Sequence, residues 1–224
     1  MNSQADSHAH SELPDERSGS TYLSREDERA NVITHAVGIL LSLLAAVYFW
    51  LNTSPDNPGL RACCMAFCGC LTLVYTFSTL SHAVVDPGWR NWLRAWDQGT
   101  IYLLIIGTYS PFIWQGSEGN FRLGFLMIAW GTAFMGFYSK VFASHRVNAV
   151  ATLTYLALGW LPAIPLIPTT PWICFLWMLA GGVSYSVGVL FLKRSSRTKY
   201  AHAVWHIFVM LGSSCHAYAV SLLL

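Results

Sequence analysis

Read for hydropathy, the chain falls into long apolar runs separated by short polar connections. Seven runs can be counted: Val32–Leu51, Leu60–Leu80, Gly99–Trp114, Phe121–Tyr138, Val147–Ile167, Pro171–Leu192 and Tyr200–Leu224. Most approach the ~20 residues with which an α-helix crosses the hydrocarbon core of a bilayer. The third is short on strict hydropathy and begins nearer Leu93 if Asp97 is taken inside the span. Pro55, Pro58, Pro162, Pro165, Pro168 and Pro171 stand at one set of run ends, where proline breaks helices. The pattern predicts an all-α membrane protein, a bundle of seven transmembrane helices over residues 30–224. No internal repeat of the transporter kind is visible.

Charge adds an orientation. Residues 1–29 form a polar tail with seven acids and three arginines, and lack the basic-then-apolar order of a signal peptide. We expect this tail to be disordered and cytoplasmic, with His8 and His10 as solvated spacers in it. The tail and alternate loops carry Arg17, Arg25, Arg29, Arg90, Arg94, Lys140, Arg146, Lys193, Arg194, Arg197 and Lys199, against only Arg61 and Arg122 elsewhere. By the positive-inside rule the N-terminus is cytoplasmic and, with seven spans, the C-terminus is outside. The expected location is the plasma membrane. His145 falls in a basic loop and reads as merely exposed.

Composition agrees with this class: 54% of residues are hydrophobic and 11% charged, where soluble domains carry about 25% charged residues. No basic stripe supports a nucleic-acid partner. Membrane lipids are the expected surroundings and partners. Of six cysteines, Cys63, Cys64, Cys68 and Cys70 crowd one apolar helix, while Cys174 and Cys215 stand singly. Without a Cys-x-x-Cys pair they read as small hydrophobes. Trp89, Trp92, Trp96, Trp114, Trp160 and Trp172 cluster near span ends, as interface belts do. Gly181, Gly182, Gly131 and Gly136 read as sites of close helix packing.

The chemistry lies in the few polar residues inside the spans. His202 and His206 are four apart, so one imidazole lies a turn above the other on one helix face. Ser78 and His82 share a face at the cytoplasmic end of the second span, and Asp97 enters at that end of the third. Three histidines, an aspartate and a serine therefore arrive at one membrane level. Taken singly, each has a plainer reading: an interhelical hydrogen bond for a histidine, a back-bond to the helix for Ser78, a pair with Arg94 for Asp97. Taken together, His82, His202 and His206 describe a zinc site with an open fourth position. Asp97 then serves as general base or holds a ligand in place, and Ser78 hydrogen-bonds water or substrate. Iron, nickel and copper also suit three imidazoles. His35, close in depth, either supports a metal ligand from behind or makes a hydrogen bond at the helix entry. His216, about 15 Å further along the helix than His206, is out of reach of the same ion and reads as an interhelical contact.

Four stretches carry a resemblance. They are Glu28-Arg29-Ala30-Asn31-Val32-Ile33-Thr34-His35, Ser78-Thr79-Leu80-Ser81-His82, the run Trp96-Asp97-Gln98-Gly99-Thr100 continuing to Phe112, and His202-Ala203-Val204-Trp205-His206 followed by Gly212 to His216. In combination they resemble the PAQR (progestin and adipoQ receptor) family, in its haemolysin III branch. The resemblance implies a seven-helix bundle with a cytoplasmic N-terminus, opposite in orientation to G-protein-coupled receptors. It also implies zinc on His82, His202 and His206, with Ser78 and Asp97 beside the metal. The wider superfamily includes alkaline ceramidases, zinc-dependent hydrolases of lipid amides. Many bacterial relatives carry histidine where this chain has Gln98. The short loops leave no domain with which to recognise a protein hormone.

Three functions compete. An intramembrane zinc hydrolase of a lipid amide or ester needs both metal and Asp97. A sensor of membrane state, or a receptor for a lipid or fatty acid, would use zinc only as a structural pin. A pore, suggested by the branch's name alone, would need a polar face through the whole bilayer, whereas the polar residues concentrate at one end.

Overall fold

The computed structural model describes residues 24–143 and 148–224. The expectations for most of the tail, for His8 and His10, and for His145 lie outside the described residues. Within them the chain forms α1 (Arg25–Asn52), α2 (Pro58–Ala83), α3 (Pro87–Gly116), α4 (Gly119–Val141), α5 (Asn148–Trp160), a short 3-10 stretch (Leu161–Leu166), α6 (Trp172–Leu192) and α7 (Ala201–Ser221). Five of these, α1, α2, α4, α6 and α7, are long and apolar enough to cross a membrane. No strand is present among the described residues.

The hydrophobic pattern works inside out. Along α1 the buried positions are Asp27, Asn31, His35, Gly38 and Ser42, recurring every three to four residues, with Phe49 two turns further on the same helix face. Leucines and isoleucines occupy the outward face, with Leu51 74% exposed and Ile33 64% exposed. Lipid is as apolar as leucine, so helices gain little by hiding leucine from it and associate through packing and polar contacts instead. The polar stripe of α1 therefore turns inward.

Helix ends follow from local chemistry. Ser24 caps α1 by accepting from the Asp27 N–H, and Glu26, Asp27 and Glu28 fill the first turn, where acids favour a helix N-terminus. The helix thereby claims residues 25–29, which hydropathy alone assigned to the disordered tail. Asp86 caps α3 by accepting from the Trp89 N–H, with Pro87 at its first position. This helix starts twelve residues before the apolar run at Gly99, because capping rather than hydropathy sets its beginning. The fifth run divides instead: α5 ends at Trp160 and the chain tightens to 3-10 geometry across Pro162 and Pro165.

α2 packs between α1 and α3, α3 also holds α4, and α6 pairs with α7, which closes back on α1. Phe67, Leu71 and Val74 of α2 meet Ile106, Phe112 and Ile113 of α3 in the core. Cys64, Cys68 and Cys70 lie in that core as free thiols. α6 and α7 approach closely at Gly181, where a Cβ would come within 2.6 Å of the His216 ring and 3.0 Å of the Gly212 carbonyl oxygen. Gly131 corrects the expectation of close packing, since a Cβ there would meet nothing within 4 Å. α5 touches α3 and α6 only briefly. Between these helices and α7 lies a cavity of about 440 Å³.

Candidate metal centre

His82 comes from the last turn of α2, and His202 and His206 from the first two turns of α7. One ligand atom from each of the three lies within 4.8 Å of the others. The ring centroids of His82 are 4.9 Å from His202 and 5.4 Å from His206, and those of His202 and His206 are 4.6 Å apart. His206 is 1% and His82 6% exposed. The sequence spacing and the fold thus converge on the same three imidazoles.

Two of the three donors, His82 and His206, fit a metal because their other ring nitrogens are spoken for. His82 Nδ1 donates to Glu28 Oε2 at 2.6 Å. The second oxygen of that carboxylate lies 3.3 Å from Arg90 Nη1, and Arg90 Nε donates to the Val84 carbonyl oxygen. His206 Nδ1 lies 3.0 Å from Thr34 Oγ1. The Thr34 hydroxyl proton is engaged by the Ala30 and Asn31 carbonyls, so Thr34 accepts and His206 donates. Both rings are thereby held with the Nδ1 hydrogen outward and the Nε2 lone pair free, as in carboxylate–histidine–metal arrangements.

Glu28, Thr34 and Arg90 were not anticipated as part of the site. Glu28 in particular was counted among the tail acids. The signal was available in the spacing of Glu28, Asn31 and His35, which lie on one face of a continuous helix. The same turn of α1 fastens the start of α7. Asp27 Oδ1 accepts from the Tyr200 N–H at 2.6 Å, and Tyr200 itself takes a left-handed backbone, φ 62°. Lys199 Nζ donates to Glu26 Oε2. That carboxylate holds the exposed Lys199 ammonium above its ordinary pKa.

Asp97 and Ser78 lie on the cavity wall with His202 and His206. Asp97 is not one of the clustered ligands; among the described residues it makes no close ion pair with Arg94, though the Arg94 charge acts on its carboxyl. Ser78 Oγ is buried and makes no bond back into its own helix; its hydroxyl meets the Asp97 carboxylate instead. A hydroxyl turned to a carboxylate rather than to its own helix keeps acceptor capacity for a ligand placed between the two. His35 stacks on His206 at 3.6 Å between centroids and 15° between planes. Neither of its ring nitrogens has a partner, so it is not a helix hydrogen bond. Gln98 Oε1 lies 3.5 Å from Lys140 Nζ, which binds position 98 to α4 rather than to the histidines.

The fold and this cluster define an integral membrane protein with a histidine-rich polar centre between its helices. The chain belongs to the haemolysin-III-related family, which matches residues 23–217. It is 34% identical to Hemolysin-3 of Bacillus cereus over 199 residues, covering 87% of this chain and 90% of that one. It is 33% identical to a Hemolysin-3 homolog of Bacillus subtilis over 199 residues, 87% and 93% of the two chains. A more distant relative is the human monocyte to macrophage differentiation factor, 24% identical over 207 residues, 87% of this chain and 83% of the other. No solved structure matches the chain.

Proposed function

We propose that His82, His202 and His206 hold a zinc ion near the cytoplasmic face of the inner membrane and that the site hydrolyses a lipid amide or ester. The observation that carries this reading is the fixed orientation of His82 and His206 by Glu28 and Thr34 at the wall of a largely apolar cavity. Loop charge supports seven spans with the N-terminus in the cytoplasm, which puts the cluster at the inner leaflet. When bound, zinc in such a setting polarises a carbonyl and makes water acidic enough to attack near neutral pH.

The chain's own residues do the rest. Asp97 stands beside the cluster to take the proton from the attacking water and pass it to the departing group. Ser78 offers a hydroxyl to orient the water or the carbonyl. Leu104, Ile105, Ile101 and Val209 line the cavity and hold the chain of a lipid so that its polar junction stays at the histidines.

Metal content of purified protein is the first test: about one zinc per chain in the wild type, lost in His206→Ala. Asp97→Asn should then retain metal and fold but lose turnover of lipid amides. Undiminished turnover in Asp97→Asn would refute the hydrolytic role.

A further inference from the structure

We infer that the cavity has a second polar subsite at its far end, built on His216, which accepts a hydroxyl carried on the chain of the bound lipid. This rests on the lipid reading of the same cavity and deepens it by naming the substrate class.

His216 is 4% exposed, lines the cavity that His202 and His206 also line, and keeps a buried Nδ1 without a hydrogen-bond partner. Its ring is fixed, stacked on Tyr185 at 5.6 Å and 18° and seated over Gly181. A structural histidine in an apolar span would be expected to spend its nitrogens on a neighbouring helix. This one leaves a nitrogen unspent, although hydroxyls lie nearby. Ser213 Oγ donates to the Val209 carbonyl oxygen and accepts from Tyr75 at 3.0 Å and Tyr185 at 2.9 Å. Tyr109 donates to the Gly159 carbonyl oxygen. With these protons committed inside the bundle, the Tyr185 oxygen retains acceptor capacity and His216 retains its own.

The partner's chemistry follows from what is missing. Around this end the cavity is lined by Thr108, Tyr109, Gly182, Tyr185 and His216, none of which carries a fixed charge. A carboxylate or ammonium would be left uncompensated there. A hydroxyl both donates and accepts, and suits a neutral imidazole beside tyrosine oxygens. His216 stands ten residues beyond His206 on α7, about 15 Å by helix rise, so the hydroxyl sits well along the chain from the group at the histidine cluster. A second apolar cavity beyond Trp160, lined by Ile164, Phe175 and Leu179, offers an unsubstituted chain a different path.

The test uses the full chain in detergent, loaded with zinc, and binding rather than turnover. The probes are fatty acids of graded length with a terminal hydroxyl, each against its unsubstituted counterpart. One chain length should favour the hydroxylated acid by about tenfold, the scale of one net hydrogen bond. His216→Phe, which keeps the stack on Tyr185, should abolish that preference without weakening the unsubstituted acids. The length dependence in the wild type stands even if the variant folds poorly. Equal binding of both series at every length overturns the subsite and leaves the lipid reading intact. A preference that survives His216→Phe also overturns it. Binding of neither series overturns both.

Discussion

The two ends of α7 present histidine in opposite conditions. At His206 the imidazole is locked by the Thr34 hydroxyl and sits among other rings. At His216 the ring is also buried and lies parallel to a neighbouring ring, yet its Nδ1 is unanswered. Sequence separates them by spacing alone, since His206 has His202 four residues before it and His216 has no histidine within a turn. What separates them in the fold is the neighbouring helix: α1 brings a glutamate and a threonine to the first end, while α6 brings a glycine and an aromatic face to the second. A polar residue inside a membrane protein is therefore judged by which of its atoms remain unpaired.

Removing a ligand should break the first end most completely. In His206→Ala metal content should fall from about one ion per chain to a trace, measured by elemental analysis. The same change also removes the stacking partner of His35, so thermal stability should fall even before metal is added. If His206→Ala keeps its metal, the three-histidine cluster is not the site.

Next in size comes the orienting shell. Glu28→Gln leaves His82 in place but replaces the carboxylate that its Nδ1 meets at 2.6 Å. Metal affinity should drop about 10–100-fold, the usual cost of losing such a partner, as read by competition with a chelator. Thr34→Val, which removes a neutral acceptor from His206, should cost less than Glu28→Gln. An equal loss in both would mean that burial rather than charge holds the rings.

These contacts mark the boundary of what could be read from the chain. The apolar runs and the histidine spacing were legible because helix periodicity and the expense of polar groups in lipid are local rules. The inward stripe of α1 was partly legible, since Asn31, His35, Gly38 and Ser42 repeat at helical spacing in an otherwise leucine-rich run. The grip of Glu28 on His82 was not, because it joins residues 54 apart in sequence and because an acid just before an apolar run reads first as tail. The start of α3 was hidden for a related reason: Asp86 and Pro87 define it by capping, whereas Arg90, Arg94 and Asp97 depress the hydropathy that a span would show. The division of the fifth run at Trp160 was foreshadowed by its prolines.

Trp160 itself gives a sharper test of the second end. Its indole Nε1 donates to Ser186 Oγ at 3.2 Å and its ring lies against Gly182, so it bridges α5 and α6 where those helices otherwise barely meet. Trp160→Ala should merge the two cavities and loosen the discrimination of chain length, while leaving metal content untouched. A loss of metal in this variant would mean that the two ends are coupled through the bundle.

The smallest effect belongs to the ion pair of Lys199 and Glu26. Both side chains are more than half exposed, and water and salt screen such pairs heavily. The Lys199 pKa is raised in the folded chain, chiefly by its hydrogen bond to Glu26. Any stability it lends is therefore complete below about 10.5, the ordinary lysine value, and disappears as pH climbs through the raised one. Near neutral pH, Lys199→Met should shift the melting temperature by little, and less still in high salt. The tie that fixes the start of α7 is instead the bond from the Tyr200 N–H to Asp27 Oδ1, which Lys199→Met leaves intact. Asp27→Ala should therefore destabilise the protein and weaken metal binding more than Lys199→Met does. The reverse order would mean that the exposed charges, and not the partly buried backbone bond, hold the first turns of α1 and α7 in register.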